Sequence, residues 1–428
     1  MDRDRYVAYK ALLAIEEEGA WSNLAVARVL AEDGGRVSSP AFIRELVYGV
    51  TENKLYLDYV LDKMAKKGIS GTDPRTLVIL RMGIFQIEFM ESVPDHAAVS
   101  TSVALARKCA AGRERFVNGM LRNYLRERGG ISLPDREGDP AGYLSLRWSC
   151  HRSLAEFLIK TFGPDDAEEF LRFANSRKVT GIRADLSRIS LEEAEEALGK
   201  CGIAAERSRI SERMLLTSGG GVTETDLFKN GLISIQSEGS CMIADIAGAR
   251  PGEKVMDMCA APGGKTVAMA ESMKGEGVIY AFDLYPHRVG LIAQNAGRAG
   301  IRNIITECRD ASCPMEEHMG TADLVLLDVP CSGLGVIREK PEIKLKAFDP
   351  AVPGLAEIQE KILETCSGYV KPGGRLLYST CTVNPAENGG RTGDFLRRHP
   401  EFSIRYEKTL LPQTDGTDGF YAALMVRE

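Results

Sequence analysis

Apolar residues recur at helical spacing through most of the first 128 residues. Apolar positions three and four residues apart are clearest over 6–13, 55–64 and 77–89. Turn signals separate these stretches, and Ser39-Pro40 is typical of a helix cap followed by a first-turn proline. A linker rich in glycine and proline then extends from Gly129 to Pro140. We therefore predict an all-α N-terminal domain over residues 1–138.

The pattern changes twice after this linker. Between about 141 and 230, helical repeats alternate with short runs suited to strands, which predicts a small α+β connecting domain over 139–230. From about 231 onward, β-branched or Leu-rich runs alternate with helical segments. These runs are Lys254–Met258, Val278–Phe282, Asn303–Glu307, Asp323–Leu327 and Arg375–Tyr378. Such alternation predicts βαβ units and a parallel sheet with helices on both faces, an α/β Rossmann-like domain over 231–428.

Composition narrows the class of protein. The 428 residues are 44% hydrophobic and 27% charged, which is ordinary for a soluble globular protein and too apolar for a disordered one. No stretch approaches the roughly 18 apolar residues that span a bilayer, and the N-terminus is charged where a signal peptide would be apolar. The ten cysteines form no CxxC pair, and Cys150-His151 is the only Cys/His neighbour pair. We therefore expect a cytoplasmic protein with reduced thiols, no metal and no membrane contact, and no protein partner is evident.

The total charge gives no sign of a nucleic-acid partner, but its distribution does. The chain has 54 basic and 60 acidic residues, a net charge of −6. A first basic cluster comprises Arg107, Lys108, Arg113, Arg115, Arg122, Arg126 and Arg128. A second comprises Arg338, Lys340, Lys344 and Lys346. Such clusters can follow RNA phosphates even on an acidic protein, although they are also typical of solvated helix faces.

The segment from Val255 to Thr266 begins in a predicted strand and opens a helix, with Gly263 and Gly264 at the turn. Glycines at such a turn let the backbone bend sharply and approach a ligand closely. Gly264-Lys265-Thr266 also matches the second half of a P-loop. That motif needs a glycine six residues before its lysine, where this chain has a cysteine. The pattern therefore disfavours a phosphate cradle.

Aspartates stand at or near the ends of four predicted strands. Asp257 lies on the first strand, Asp283 and Asp328 end the second and fourth, Asp283 nineteen residues after Gly264, and Asp310 follows the third. A carboxylate placed like Asp283 can accept hydrogen bonds from ribose hydroxyls, and Asp310 is placed to contact an adenine edge. Any one of them could instead cap a helix. Because the turn lacks the G-x-G-x-x-G of dinucleotide sites, S-adenosylmethionine fits the set better than NAD.

Two cysteines follow neighbouring predicted strands. Cys331 lies in a Pro-Cys turn after the fourth strand, and Cys381 lies in a Thr-Cys turn after the fifth. Both thiols should therefore reach the cofactor crevice. A thiol suits chemistry that needs a strong nucleophile at neutral pH, such as addition to C6 of a pyrimidine, which makes C5 nucleophilic. A single cysteine there would more often be a packing residue, whereas two in matching turns favour chemistry.

The segments around these cysteines resemble the RNA cytosine-5 methyltransferases, which use S-adenosylmethionine. The resemblance implies that Cys381 attacks C6 of the target cytosine and that Cys331 assists removal of the C5 proton and release of the enzyme. It further implies that Asp328 hydrogen-bonds the base near N3 and N4, with Lys265 as an acid–base or structural partner. The positions that match the family's cofactor contacts are Cys259, Ala260, Ala261, Pro262, Gly263, Gly264, Lys265, Asp283, Asp310 and Asp328.

The helical region carries a second resemblance. The runs Val93–Val99 and Phe116–Asn123 are similar to the NusB-type RNA-binding domain of RsmB-type (Sun/Fmu) bacterial enzymes. Those enzymes methylate 16S ribosomal RNA. The resemblance therefore implies that 16S ribosomal RNA, free or in an early assembly form, is the partner of this protein. Two alternatives stay open: the same chemistry on transfer RNA, and a non-catalytic RNA-binding assembly factor.

Overall fold

The computed structural model describes residues 2–428, which form two compact units. The first unit runs to Asn175 and also contains Ile337–Asp349, whereas the second comprises Ser176–Val336 and Pro350–Glu428. The chain therefore leaves the second unit shortly after the Pro-Cys turn, contributes a short segment to the first, and returns. The three-domain division with boundaries at 138 and 230 stays a prediction.

The first unit is helical, as predicted for the N-terminal region. Its helices are α1 (Arg3–Glu18), α2 (Ser22–Asp33), α3 (Pro40–Glu52), α4 (Lys54–Met64), α5 (Pro74–Phe89), α6 (Asp95–Cys109), α7 (Glu114–Glu127), α8 (Pro140–Arg147), α9 (Arg152–Phe162) and α10 (Pro164–Ala174). Ser39 caps α3 by accepting a hydrogen bond from the Phe42 amide at 3.2 Å, with Pro40 in the first turn. The apolar positions of the helical repeats form one buried core, which includes Leu12, Ile43 and Leu121.

The second unit begins with a small antiparallel sheet and two helices. Its elements are β1 (Thr180–Ala184), α11 (Leu191–Lys200), β2 (Glu206–Arg207), β3 (Met214–Thr217), α12 (Asp226–Lys229) and β4 (Ile233–Ile235). The strand order is β2-β3-β1-β4. The capping box of Ser190 and Glu193 starts α11. This mixture of short strands and helices is the α+β composition that the sequence indicates.

The larger sheet of the second unit has seven strands. Its elements are α13 (Glu238–Ala247), β5 (Lys254–Asp257), α14 (Gly264–Ser272), β6 (Val278–Asp283), α15 (Pro286–Ala299), β7 (Ile304–Cys308), β8 (Ala322–Asp328), α16 (Pro353–Ser367), β9 (Val370–Thr380), α17 (Gly389–Arg398), β10 (Phe402–Leu410), α18 (Pro412–Asp415) and β11 (Phe420–Arg427). The strand order is β10-β11-β9-β8-β5-β6-β7. All five predicted strands are present and pair in parallel.

The sheet differs from an all-parallel one at one edge, where β10 and β11 pair antiparallel and β11 pairs antiparallel with β9. The strand order reverses direction between β5 and β8, which lie side by side. In open α/β sheets, ligands bind outside the carboxyl ends of the strands at such a reversal. The fold therefore directs attention to the residues that follow β5 and β8.

Candidate active site

The carboxyl ends of the parallel strands carry the predicted aspartates. Asp257, Asp283 and Asp328 are the last residues of β5, β6 and β8, and Asp310 follows the end of β7 by two residues. Because parallel strands end at the same edge of a sheet, the four carboxylates lie along one edge. Their predicted placement is confirmed.

The turn between β5 and α14 is held tightly against the neighbouring strand. The Ala260 amide donates to the Phe282 carbonyl at 2.8 Å, and the Ala261 amide donates to the Asp283 carboxylate at 3.2 Å. Gly263 has φ of 104°, and a Cβ there would lie 3.1 Å from the Cα of Ile292. This position therefore favours glycine for its conformation, and a Cβ there would also require Ile292 to move by a few tenths of an ångström.

Asp257 is fully buried at the base of this turn. Its Oδ2 accepts a hydrogen bond from Thr266 Oγ1 at 2.7 Å, whereas its Oδ1 is buried without a hydrogen-bond partner among residues 2–428. Burial raises the pKa of Asp257 to about 7, against the opposing effect of the Thr266 hydrogen bond. A buried acceptor of this kind needs either a proton or a ligand.

Asp283 and Asp310, two of the carboxylates that we expect to contact the cofactor, differ in exposure. Asp283 is 3% exposed, and besides Ala261 it contacts the Tyr285 amide at 3.4 Å and the Arg288 guanidinium at 3.4 Å. Asp310 is exposed, and its Oδ1 accepts from the Ser312 amide at 2.8 Å. That backbone hydrogen bond lowers the pKa of Asp310, which keeps it an acceptor at neutral pH.

Lys265 and Asp328 form an ion pair beside the two cysteine turns. Lys265 Nζ lies 2.7 Å from Asp328 Oδ2, and Ser379 Oγ donates to Asp328 Oδ1 at 2.8 Å. Burial alone would lower the pKa of Lys265, but the Asp328 carboxylate outweighs it and the pKa is raised. Asp328 is therefore fixed from two sides, by a cation from α14 and by a hydroxyl from β9.

The structure brings the two predicted cysteines together. Cys331 Sγ and Cys381 Sγ are 3.4 Å apart, and both residues are partly exposed. They meet because β8 and β9 are adjacent parallel strands, and each cysteine follows the end of one of them. The Gly335 amide also donates to the Cys381 carbonyl at 3.0 Å. The hydrogen bond to Cys381, together with burial, raises the pKa of Cys331 well above its usual range, so Cys331 is a neutral thiol.

A buried carboxylate that sequence reasoning did not single out braces the Cys331 turn. Glu387 is fully buried, and its Oε2 accepts from the Ser332 amide at 2.8 Å and from Gln359 Nε2 at 3.0 Å. Its Oε1 accepts from the Ser332 hydroxyl and from Asn384 Nδ2, the latter at 3.1 Å. Gln359 also donates to the Pro330 carbonyl at 2.9 Å. The residues on both sides of Cys331 are therefore tied to one carboxylate.

The Cys381 turn has its own support. Asn388 accepts from Thr380 Oγ1 at 2.6 Å and donates to the Thr382 carbonyl at 2.9 Å, so it bridges the residues on either side of Cys381. Thr382 Oγ1 in turn lies 2.7 Å from the Ser332 hydroxyl. The two turns thus share one hydrogen-bond network. The only sequence signal for it is an acid between two asparagines after a Thr-Cys turn.

The first unit carries the basic cluster of α6 and α7. All seven of its basic residues, which lie between Arg107 and Arg128, are exposed. Only Arg113 and Arg128 form ion pairs within residues 2–428, at 3.8 and 3.6 Å. The cluster is therefore an exposed cationic surface.

Only part of the second basic cluster lies on the surface, whereas the sequence predicted that the whole cluster could follow RNA phosphates. Lys344 is fully buried, and its Nζ donates to the Trp148 carbonyl at 2.7 Å and to Asn175. Burial lowers the pKa of Lys344 to about 8. Arg338 is also buried, 4.4 Å above the ring of Phe173. The exposed members are Lys340 and Lys346.

The residues at the strand ends fit an adenosyl cofactor. Asp283 and Asp310 supply acceptors for hydroxyl and amino groups, the backbone of the glycine turn leaves room for close approach, and the unpaired Asp257 oxygen offers an acceptor to a cationic group. Within residues 2–428, no group of three or more His, Cys, Asp or Glu side chains could hold a metal ion. No described helix is both long and apolar enough to cross a membrane.

Comparison with known proteins finds one family match in each of the two units. Residues 246–426 match the family described as 16S rRNA methyltransferase RsmB/F, and residues 2–126 match the NusB family. The probable ribosomal RNA small subunit methyltransferase B of Bacillus subtilis is 34% identical over 98% of each chain. Among solved structures, PH0851 is 25% identical with a TM-score of 0.83 over 98% of each chain. A methyltransferase homolog protein from Pyrococcus horikoshii is 26% identical with a TM-score of 0.59, covering 67% of this chain and 98% of its own.

Proposed function

Because this chain belongs to the ribosomal RNA small subunit methyltransferase B family, whose members are S-adenosylmethionine-dependent, we propose that it methylates C5 of a cytosine in 16S ribosomal RNA. The observation that carries the proposal is the pair of thiols, Cys331 and Cys381, 3.4 Å apart beside Asp328. One thiol would suffice for a nucleophile. A second thiol at this distance is suited to a reaction in which an adduct must also be resolved.

The proposed reaction is covalent. S-adenosylmethionine, when bound, supplies the methyl group. The Cys381 thiol would release its proton to solvent and its sulfur would add to C6 of the cytosine. The π electron pair of the C5–C6 bond would then form the bond from C5 to the methyl group, and the demethylated cofactor would be the leaving group. The C5 proton is then removed with the help of Cys331, and the Cys381–C6 bond breaks as the C5–C6 double bond re-forms. In this step Cys331, having released its own proton to solvent, would take the proton from C5 and become a thiol again, while the C5–H electron pair re-forms the double bond and Cys381 leaves as a thiolate.

Asp328 and Lys265 are proposed to hold the base during this addition. Asp328 is fixed by Lys265 at 2.7 Å and by Ser379 at 2.8 Å, so its carboxyl group is oriented before a substrate arrives. Placed near N3 and N4 of the cytosine, its carboxylate would accept from the N4 amino group, and the Lys265 ammonium beside it would offset the negative charge that develops on the ring when sulfur adds to C6. The raised pKa of Lys265 keeps the ammonium group charged and the pair intact at neutral pH.

An RNA substrate also explains the exposed cationic surface of the first unit. Phosphate neutralisation by lysine and arginine supplies sequence-independent affinity for RNA. The target cytosine must leave its stack to reach two thiols that lie 3.4 Å apart beside Asp328, so a single-stranded loop or an early assembly form of the RNA is the proposed target.

The test measures methyl transfer from labelled S-adenosylmethionine to protein-free 16S ribosomal RNA, with a transfer-RNA pool in parallel and nucleoside digestion of the product. We expect 5-methylcytidine from ribosomal RNA, no transfer by Cys381→Ala, and a denaturant-resistant protein–RNA species with Cys331→Ala. Label mainly in transfer RNA would replace the proposed substrate. Full activity of Cys381→Ala would refute the nucleophile. Binding of S-adenosylmethionine without transfer to either RNA or to a ribosomal particle would favour a non-catalytic assembly factor.

A further inference from the structure

A cavity in the first unit lies outside the site described above. It has a volume of about 270 Å³, and its wall combines apolar side chains and Trp21 with the charged residues Glu16, Lys54, Arg81, Glu342 and Lys346. The apolar wall is formed by Leu12, Ile15, Val50 and Val78. Small-molecule sites occupy roughly 300–1,000 Å³. The cavity is therefore of a size for one flat heterocycle rather than a larger ligand.

Glu342 is the residue that points to a ligand. It is 8% exposed, and its Oε1 accepts from the backbone amide of Ser22 at 2.5 Å. Its Oε2 is buried and has no hydrogen-bond partner among residues 2–428. Leaving a buried carboxylate oxygen without a donor is costly, so such an atom needs an explanation. An N–H group brought by a ligand would supply the missing donor.

Trp21 adds an aromatic surface with cations beside it. The side chain is 39% exposed, and the Nζ atoms of Lys340 and Lys346 lie 6.0 and 5.4 Å from its ring centroid. These two lysines are the exposed half of the second basic cluster. Proteins that hold single-stranded nucleic acid combine a stacking aromatic with cations that follow the backbone. Trp21, the Lys346 ammonium and the buried Glu342 carboxylate thus line one cavity, and Lys340 lies beside the Trp21 ring.

We propose that this cavity binds an unpaired guanine of the RNA substrate. The base lies against Trp21, its N1–H and N2–H groups donate to the carboxylate of Glu342, and the adjoining phosphates contact Lys340 and Lys346. Guanine is selected because its Watson–Crick edge presents two adjacent donors, whereas adenine and cytosine present an acceptor beside the amino group. The inference rests on the proposed function, since the RNA substrate would carry the guanine.

The test uses the full chain and three RNA pentamers, UUGUU, UUAUU and UUUUU. The chain has two tryptophans, so Trp148→Phe leaves Trp21 as the only reporter, and the Trp148 carbonyl that accepts from Lys344 is kept. We expect UUGUU to quench Trp21 fluorescence and to bind more tightly than the other two. Trp21→Ala, measured by anisotropy of labelled UUGUU, should weaken binding about 5- to 150-fold, the equivalent of about 1–3 kcal/mol of base stacking.

Glu342→Gln is the sharper variant because it preserves size and the contact with Ser22. An amide must place its oxygen opposite the Ser22 N–H, so its nitrogen takes the position of the unpaired Oε2 and presents a donor where guanine needs an acceptor. The preference for UUGUU over UUAUU should disappear or reverse, while the thermal transition of the protein stays close to that of the parent. For 16S ribosomal RNA, the KM should rise with kcat unchanged.

Several results would overturn the inference. Equal binding of the three pentamers, unquenched Trp21, or an unchanged preference in Glu342→Gln would each do so. If the parent protein methylates 16S ribosomal RNA while the pentamers bind equally, only the guanine site fails. If the parent methylates no RNA, the proposed function fails whatever the pentamers show.

Discussion

Glu387 offers the most direct test of whether the turn around Cys331 must be held rigidly. In Glu387→Gln, one oxygen that accepts two hydrogen bonds becomes a donor. The least costly arrangement keeps the amide oxygen on Ser332 N–H and Gln359, lets the Ser332 hydroxyl turn to accept, and loses the hydrogen bond from Asn384. Since hydrogen bonds to charged groups contribute about 1.5–3 kcal/mol each, the loss of the bond from Asn384 should lower the free energy of unfolding by about 1.5–3 kcal/mol.

Turnover should fall by more than stability or cofactor binding explains. Ser332 follows Cys331 directly, and a misplacement of about 1 Å at a reacting group can cost about 100-fold in rate. We expect kcat to fall about 10- to 100-fold in single-turnover methyl transfer. The dissociation constant of S-adenosylmethionine should stay within about twofold, because the partners of Glu387 lie outside the turn between β5 and α14.

Glu253→Gln is the matched control. Glu253 precedes β5 at the opposite end of the strand from Asp257, and its two carboxylate oxygens each accept from Arg375 at 2.6 Å. Urea unfolding should show a loss of stability in both variants, but only Glu387→Gln should lose turnover. If Glu387→Gln turns over at the parent rate while its unfolding free energy falls as in the control, Glu387 only stabilises the fold and the reasoning is refuted.

Two further predictions concern charge. The folded protein keeps a proton on Asp257 up to about pH 7, whereas the unfolded chain releases it near pH 3.8, so stability falls as the pH rises between these values. The stability advantage of Asp257→Asn, measured by urea unfolding without cofactor, should therefore grow by about 2–3 kcal/mol from pH 5 to pH 8, and a constant difference would contradict the burial argument. Arg115→Gln combined with Arg122→Gln should reduce the slope of log affinity for single-stranded RNA against log salt by about 1.4, near 0.7 per contact. Lys200→Gln, at the exposed last residue of α11 in the second unit, should leave that slope unchanged, and an unaltered slope in the double variant would exclude both arginines from the RNA contact.

The strand-end residues could be predicted because they depend on local pattern. Runs of β-branched and Leu-rich residues between helical segments locate each strand, and parallel strands bring their carboxyl ends to one edge of the sheet. The sequence therefore sufficed to group four residues at that edge: Asp257, Asp328, Cys331 and Cys381. The antiparallel edge of β10 and β11 could not, because the pairing of those strands with β9 is set by the route of the chain after α17.

Burial of charged residues was the other feature that the sequence did not reveal. Lys344 stands among other basic residues in a stretch that reads as a surface, yet it is fully buried against carbonyl and amide oxygens. Glu387 stands in a polar turn, yet it accepts four hydrogen bonds in the core. Both depend on partners distant in the sequence, such as Trp148 and Gln359, and no local pattern encodes them.

The hydrogen bonds of the buried carboxylates distinguish a carboxylate that stabilises the fold from one that is placed to bind a ligand. Both oxygens of Glu387 are satisfied by protein donors, so its charge stabilises the fold and its amide should be destabilising. Asp257 and Glu342 each leave one buried oxygen unpaired, and a folded protein retains such an atom against its cost when a ligand completes it. The same Asp→Asn or Glu→Gln chemistry should therefore act in opposite directions in the absence of ligand: it should destabilise the chain at Glu387 and stabilise it at Asp257 above pH 7. If Glu387→Gln and Asp257→Asn instead lowered the free energy of unfolding by the same amount, the unpaired oxygen of Asp257 would not mark a ligand position.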